Sequence, residues 1–300
     1  MRLKYGNVGI IGKPNVGKSS LMNAIIKEKV SIVSPKPQTT RNNVMGIYND
    51  EQSQIVFVDT PGIFKSDSRL GDYMNRSVAS IASDVDILLV LIDGTKSINE
   101  ETVNLIKRFK NEKVILVVTK TDLMTFEKLY PKLGILNSLD FVIDIIPLSS
   151  HKNKNIDVLL DVIKKNLDEF DESELMYERD EYTNKSVKFL ASEIIREKIL
   201  LALDDEVPHG VAISIISWDE DENFVKISAD IICERDSHKG IILGKRGQMV
   251  KQIGQSARHD IEKMLGKKVY LEIFVKVKNN WKNSLAFLND VGYNNDEIVD

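Results

Sequence analysis

Of 300 residues only one is a cysteine, Cys233, which excludes an internal disulfide and a cysteine-based zinc cluster. The four histidines, at 151, 209, 238 and 259, show no metal-ligand spacing, and no zinc site is expected. No stretch approaches the roughly 18 uncharged apolar residues that a membrane-spanning helix needs. The best run, residues 87–92, has the length of a strand. Residues 1–6 lack the long apolar run of a secretory leader. There is neither an internal repeat nor a low-complexity tract. These absences point to a protein of a reducing compartment without a membrane span.

What is present is enough to build cores: 42% hydrophobic residues with 29% charged, over a length that suits about two domains of roughly 150 residues each. The net charge of −4 hides an asymmetry. Residues 238–282 carry eleven Lys and Arg against three acidic side chains, a local +8 that leaves −12 for the rest of the chain. A patch of that sign suits nucleic acid or an anionic membrane surface. A solvated lysine-rich face would look the same by charge alone.

The first half alternates short β-branched runs (8–11, 55–58, 87–92, 114–118 and 141–146) with amphipathic stretches such as 99–110 and 155–167. Strands apolar on both faces, separated by helices, predict a doubly wound, mainly parallel α/β sheet, which binds ligands beyond the carboxyl ends of its strands. An acidic, aperiodic stretch begins at Asp168 and reads as a linker. A helix with Val187, Leu190, Ala191 and Ile194 on one side follows it, then two strands over 211–218 and 224–232. A glycine-rich turn, a helix with Val250, Ile253, Ala257, Ile261 and Met264 inward, and an alternating strand over 269–277 complete the chain. The expected division is a first domain over 1–170, a linker over 171–184 and a second, smaller α+β domain over 185–300. Cys233 and Trp218 read as packing residues.

Gly12-Lys13-Pro14-Asn15-Val16-Gly17-Lys18-Ser19 fits the phosphate-binding Walker A loop, directly after one strand and before a helix, with Ser20 counted in the same cradle. The glycines let backbone N–H groups curl around phosphate oxygens, and the helix N-terminus adds partial positive charge. Lys18 is placed to reach the β- and γ-phosphates and Ser19 to ligate Mg²⁺. Asp59-Thr60-Pro61-Gly62 closes the 55–58 strand; it supplies an acid to hold the magnesium through water and a Gly62 amide for the γ-phosphate. In Pro37-Gln38-Thr39-Thr40-Arg41, Thr40 is the expected magnesium-sensing hydroxyl. Lys18, Thr40, Asp59 and Gly62 are therefore the expected catalytic groups.

Thr119-Lys120-Thr121-Asp122 follows the 114–118 strand and resembles the guanine-specificity motif Asn-Lys-x-Asp of translation-factor-related GTPases. A carboxylate at Asp122 accepts two N–H donors from the guanine edge; adenine offers no such pair, and the unpaired carboxylate would cost about 1–3 kcal/mol. Thr119 replaces the usual Asn, which is expected to weaken support of the loop and affinity for the base while Asp122 still selects guanine. Ser149-Ser150-His151 resembles the Ser-Ala-x loop whose backbone meets the guanine O6.

Gly244-Lys245-Arg246-Gly247 is a GxxG, a pattern that 16 glycines in 300 residues would yield about 0.8 times by chance. Its setting is more informative. It joins the apolar segment 240–243 to an amphipathic helix inside the +8 region, as in a KH domain, where such a loop clamps about four single-stranded nucleotides. Lys245 and Arg246 offer phosphate partners, and Lys251, Gln255 and Arg258 recur along one helical face. His238 and Lys239 precede the loop and are expected at the RNA. The order helix–strand–strand–helix–helix–strand is that of the type II KH arrangement. A structural αβ module with a basic surface is the alternative.

GKPNVGKS, PQTTR, DTPG, TKTD and ILGKRGQMVKQIGQSAR, in this order, resemble the Era family of bacterial ribosome-assembly GTPases over essentially the whole chain. The resemblance extends to Arg196-Glu197-Lys198, Glu206-Val207-Pro208-His209, Glu234-Arg235-Asp236-Ser237 and the Trp281 region; a single P-loop excludes the tandem-G-domain relatives. It implies a P-loop NTPase G domain with a type II KH domain, GTP and GDP with Mg²⁺ as cofactors, and the single-stranded 3′ end of 16S rRNA in the small (30S) subunit as partner. Asn15 resembles the potassium-coordinating asparagine of this branch, which implies K⁺ as well. A cytoplasmic monomer with a peripheral contact at the inner membrane is expected.

Ile63 follows Gly62 where many GTPases carry a water-orienting glutamine, which predicts slow intrinsic turnover, about 10⁻³ s⁻¹ or below. Two rival classes stay open at this point. A metabolic P-loop kinase would use ATP and turn over at about 1–100 s⁻¹. A non-enzymatic RNA or membrane adaptor would use the basic face alone.

Overall fold

A computed structural model describes residues 2–63, 68–172 and 175–293. The chain divides into two compact units: Met1–Ser31 with Thr40–Lys65 and Met74–Asn184, and Ile32–Thr39 with Ser66–Tyr73 and Lys185–Asp300.

The first unit is built on β1 (Arg2–Gly12), β2 (Val44–Asn49), β3 (Ser53–Asp59), β4 (Ile87–Asp93), β5 (Val114–Thr119) and β6 (Val142–Pro147), in the order β2-β3-β1-β4-β5-β6. Pairs β1/β3, β1/β4, β4/β5 and β5/β6 are parallel and β2/β3 antiparallel. This is the expected doubly wound sheet. β3 and β5 are buried along their whole length, as parallel strands covered on both faces must be. Interleaved with the strands are α1 (Lys18–Ile26), α2 (Arg69–Asp84), α3 (Glu100–Lys107), α4 (Phe126–Leu136) and α5 (Ile156–Asn166). Val78 and Ala82 of α2, Ile106 of α3 and Leu136 of α4 pack with Leu88, Val90, Val114 and Leu116 in one core. Asn99 caps α3, its side chain accepting from the Thr102 amide at 3.0 Å.

The acidic stretch behaves differently from a plain linker. Its start forms β7 (Asp168–Asp171), antiparallel to residues 2–5 of β1, beside the half of β1 that β4 leaves unpaired. Phe170 meets Tyr5 edge-on with ring centroids 5.4 Å apart. Beyond it, the Tyr182 carbonyl accepts from the Ile47 amide at 3.0 Å and the Thr183 hydroxyl donates to the Met45 carbonyl at 2.7 Å. Residues 177–183 thereby cover the outer edge of β2, which would otherwise present open hydrogen-bonding groups.

The second unit has α6 (Val187–Ala202), β8 (Ala212–Glu220), β9 (Phe224–Cys233), α7 (Asp236–Leu243), α8 (Gln248–Leu265), β10 (Lys268–Val277) and the short α9 (Leu285–Asp290). Its sheet runs β10-β9-β8, with β9/β10 parallel and β8/β9 antiparallel. This is the expected type II order. Val225, Ile227, Ala229 and Ile231 of β9 and Val269 and Val275 of β10 face a core shared with Ile194 and Ile195 of α6 and Ile253, Ala257 and Ile261 of α8. Cys233 is buried there and Trp218 partly so, both as packing residues. The apolar segment 240–243 is the second half of α7.

Among the described residues no helix is long and apolar enough to cross a membrane.

Candidate functional site

β1 ends at Gly12 and α1 begins at Lys18, so the loop between them caps the carboxyl edge of the sheet. Gly12 (φ 155°) and Gly17 (φ 103°) take conformations that side chains resist, and a Cβ on Gly12 would sit 2.8 Å from the Leu91 carbonyl. Asn15, at φ 60°, adds a left-handed turn. The result is a loop closing on the N-terminus of α1, an anion cradle. Lys18 is buried, its Nζ 3.4 Å from the Gly12 carbonyl and 3.3 Å from that of Lys13. Val16 is buried under the loop, Ser20 continues α1, and Lys13 points outward to Glu101 at 2.8 Å.

Beside Lys18, Asp59 at the tip of β3 is fully buried. Its Oδ2 accepts from Ser19 at 2.6 Å and from Ser31 at 2.9 Å, and the Thr40 hydroxyl lies 3.3 Å from the same oxygen and 2.9 Å from Ser19 Oγ. Its Oδ1 is buried with no hydrogen-bond partner. Burial pushes the Asp59 carboxyl up and Lys18, with the three hydroxyls, pulls it back; burial pushes the Lys18 ammonium down against Asp59. An unpaired buried carboxylate oxygen flanked by two hydroxyls is a donor set that fits a hard divalent cation. The residues expected at the magnesium, Ser19, Thr40 and Asp59, are thus brought together. Ser31 joins them without having been anticipated; its only signal in the sequence is a polar residue inside the run Val30-Ser31-Ile32-Val33. Asn23 fixes that residue, its side chain accepting from the Ser31 amide at 3.0 Å and donating to the Ser31 carbonyl at 2.7 Å.

After Asp59 the chain folds back over the phosphate loop. Thr60 donates to the Ile10 carbonyl at 2.8 Å, and Pro61 and Gly62 are buried. A Cβ on Gly62 would lie 2.9 Å from the Pro14 nitrogen, so only glycine lets the two loops approach this closely.

The other end of the cleft is built on β5 and β6. Asp122 is exposed, with Oδ1 accepting from Ser149 Oγ at 2.6 Å. Ser149 is buried and also accepts from the Lys152 amide at 3.1 Å, while Ser150 begins the tight turn that Ser149 and Lys154 close. Asp122 is thereby aimed before any base arrives. Thr119 is buried and its hydroxyl reaches the Val16 carbonyl at 2.7 Å and the Ile92 carbonyl at 3.2 Å. The threonine hydroxyl thus straps the base loop to the phosphate loop, at the position where the motif usually has Asn. Lys120, at φ 59°, donates to the Asn15 carbonyl and to Asp93, both at 2.7 Å.

In the second unit, Gly244-Lys245-Arg246-Gly247 forms the turn from α7 into α8. Gly244 at φ 69° and Gly247 at φ 76° supply its bends, and a Cβ on Gly244 would strike Met249 at 2.6 Å. Lys245 and Arg246 are exposed at the N-terminus of α8, and Lys251, Gln255 and Arg258 are exposed along the helix opposite its buried Ile253, Ala257 and Ile261. Lys239 is half-buried. His238 departs from its expected place at the RNA: it is 7% exposed, packed beside Gly210 with Nδ1 unbonded, because α7 turns it inward with Ile242. Among the described residues no cluster of three or more His, Cys, Asp or Glu side chains could hold a metal.

The sequence matches the family described as "50S ribosome-binding GTPase" over residues 7–120 and the KH domain family over 206–282. It is 43% identical over 299 residues to the GTPase Era of Ruminiclostridium cellulolyticum, covering 98% of each chain. To the GTPase Era of Clostridioides difficile it is 43% identical over 302 residues, covering 97% of this chain and 99% of the relative. A crystal structure of an Era variant from Aquifex aeolicus bound to GDP and AlF₄⁻ superposes with a TM-score of 0.91 at 35% identity, over 97% of this chain and 99% of that one. Another, of Era in complex with MgGDPNP and nucleotides 1506–1542 of 16S ribosomal RNA, gives 0.92 at 35% identity with the same coverage. With relatives 43% identical over nearly its whole length and a solved Era structure superposing over 97% of it, the chain belongs to the Era family of GTPases.

Proposed function

We propose that this GTPase is a molecular switch that binds the single-stranded 3′ end of 16S rRNA and assists assembly of the small ribosomal subunit. The observation that carries the nucleotide half is the position of Lys18, Asp59 and Asp122 at the carboxyl ends of β1, β3 and β5 in one sheet. The support for the RNA half is the exposed GxxG turn on α8, together with the relative whose structure holds nucleotides 1506–1542 of 16S rRNA.

In this reading residues 1–170 bind the nucleotide, 171–184 link, and 185–300 bind RNA. The amides of residues 12–20 and Lys18 hold the phosphates. Asp122 takes the guanine N–H pair while the backbone at Ser149 and Ser150 meets the opposite edge. Ser19, Thr40 and Asp59 hold Mg²⁺, which when bound neutralises charge developing on the phosphate oxygens. Thr40 and the Gly62 amide sense the γ-phosphate. Because no glutamine follows Gly62, intrinsic turnover is about 10⁻³ s⁻¹ or below. Asn15 is the candidate ligand for a K⁺ ion that would raise it. Lys245, Arg246, Lys251, Gln255 and Arg258 meet RNA phosphates and bases, with Lys239 beside them. The protein acts as a cytoplasmic monomer, with at most a peripheral membrane contact.

The test is a titration of GTP, GDP and ATP, each with and without an oligoribonucleotide copying the 3′ end of 16S rRNA. Tighter RNA binding in one guanine-nucleotide state is the expected result, since a switch requires differential affinity. Equal RNA affinity in all states, or a preference for ATP, would refute it. Equal GTP turnover in KCl and NaCl at matched ionic strength would remove the potassium role.

A further inference from the structure

The three-stranded sheet of the second unit has its helices on one face only. Side chains on the other face are set by the β9/β10 register, in which Phe224 lies beside Lys268, Lys226 beside Tyr270, Ser228 beside Glu272 and Asp230 beside Phe274. Tyr270 and Phe274 are 50% and 53% exposed on this helix-free face, and Phe224 is 42% exposed at its end. Large rings turned to solvent are unusual where the opposite face of the same strands is fully packed, and two on one strand form a patch.

The charges around the rings are not balanced in what they expose. Lys226, Lys268 and Lys276 are all exposed. Of the carboxylates, Asp230 is buried and held by Lys276 at 2.6 Å, Glu272 is half-buried, 4.0 Å from Lys226 and accepting from the Tyr270 hydroxyl at 3.4 Å, and Asp219 of β8, opposite Lys226 in the β8/β9 register, is the exposed one. Lys226 also sits over the Tyr270 ring, 5.9 Å from its centroid. The face therefore shows solvent rings and ammonium groups, the chemistry of a sequence-tolerant single-strand platform.

Spacing selects the occupant. Tyr270 and Phe274 are four residues apart on one strand, about 13 Å at 3.3 Å per residue. Neighbouring bases of a stacked helix lie far closer, so the rings suit bases of an extended strand separated by an intervening nucleotide. A GxxG turn clamps only about four nucleotides. β10, which carries both rings, is an edge strand of the sheet and lies against α8, the helix that opens with the GxxG turn.

We propose that the helix-free face of β9 and β10 is a second single-stranded RNA subsite, in which bases stack on Tyr270 and Phe274 with Lys226, Lys268 and Lys276 at the phosphates. The proposal rests on the RNA-binding reading above and extends it to nucleotides beyond the GxxG clamp.

The experiment compares the full-length protein with Y270A/F274A against oligoribonucleotides of four and twelve nucleotides from the 3′ end of 16S rRNA. Each base–aromatic stack is worth about 1–3 kcal/mol, so the twelve-mer should bind the double variant at least 10-fold more weakly, and the four-mer unchanged. Y270F/F274Y, which keeps both rings, should bind both lengths as the parent does. An unchanged twelve-mer affinity overturns the subsite. An equal loss at both lengths also overturns it, since the effect would then come through the GxxG clamp or the fold. A G247D variant separates the two readings: if it binds both oligomers normally, RNA recognition at the GxxG turn fails whatever the rings do.

Discussion

The hydroxyl of Thr119 donates to the carbonyl of Val16 at 2.7 Å, joining two loops that are 103 residues apart in sequence. The donor is one proton on one short side chain, and it is buried, where a hydrogen bond counts most. Thr119→Val keeps the shape and removes the donor, leaving the Val16 carbonyl unpaired. A loss of about 1–2 kcal/mol is expected, seen as a roughly 5- to 30-fold weaker affinity for both GTP and GDP in a titration. Thr119→Asn should stay near the parent. An unaltered affinity in the valine variant would show the strap to be unimportant.

Asp122 accepts from Ser149 at 2.6 Å and so is oriented in the free protein. Exchanging it for asparagine replaces an acceptor by an amide that also donates. Asp122→Asn should therefore lose most guanine affinity and gain affinity for xanthine nucleotides, whose C2 position carries an acceptor. Competition between GTP and XTP measures the exchange; unchanged guanine preference would place base recognition elsewhere.

Ser31 is the least expected member of the acidic cluster. Ser31→Ala removes one of the hydroxyls that hold Asp59 Oδ2 at 2.9 Å or less. The carboxylate would lose one positioning bond of about 1 kcal/mol. The Mg²⁺ concentration for half-maximal GTP hydrolysis should rise a few-fold, with guanine affinity in the absence of metal nearly unchanged.

Asp50 anchors the β2–β3 turn to α5. Burial raises its carboxyl, but hydrogen bonds from Lys164, the Gln52 amide, Ser53 and Tyr48 outweigh that and hold it at about 2, against an ordinary 3.8. A folded value below the unfolded one stabilises the protein above about pH 5, and the contribution fades as pH falls toward 2. Asp50→Asn should therefore cost about 1 kcal/mol in urea unfolding at pH 7 and nearly nothing at pH 2. A cost that does not shrink with acid would assign the effect to packing.

Readability from the sequence followed how locally each feature is specified. The phosphate loop, Asp59 and Asp122 could be placed because glycine, lysine and carboxylate sit at fixed offsets from strands that are apolar on both faces. β2 could not: Val44-Met45-Gly46-Ile47-Tyr48-Asn49 is short and irregular, and what makes it a strand is antiparallel pairing with β3 and the chain that covers its edge. The same holds for β7, four residues with three acids, whose backbone is ordered by β1. His238 was misread because its neighbours are basic and its own burial depends on how α7 packs. Tyr270 and Phe274 looked like ordinary strand residues, since alternation shows which side chains share a face but not which face stays bare.

Lys120 holds the Asn15 carbonyl of one loop and Asp93 at the tip of another strand. In the proposed reading, part of the protein that grips the base is thus also part of the wall around the triphosphate tail. Because the protein's own groups form these bridges, loosening them should weaken binding of guanosine alone and pyrophosphate alone as well as of the intact molecule. Discrimination between purines would in that case be felt at the far end of the ligand, where the chemistry occurs, as much as at the ring that is being read.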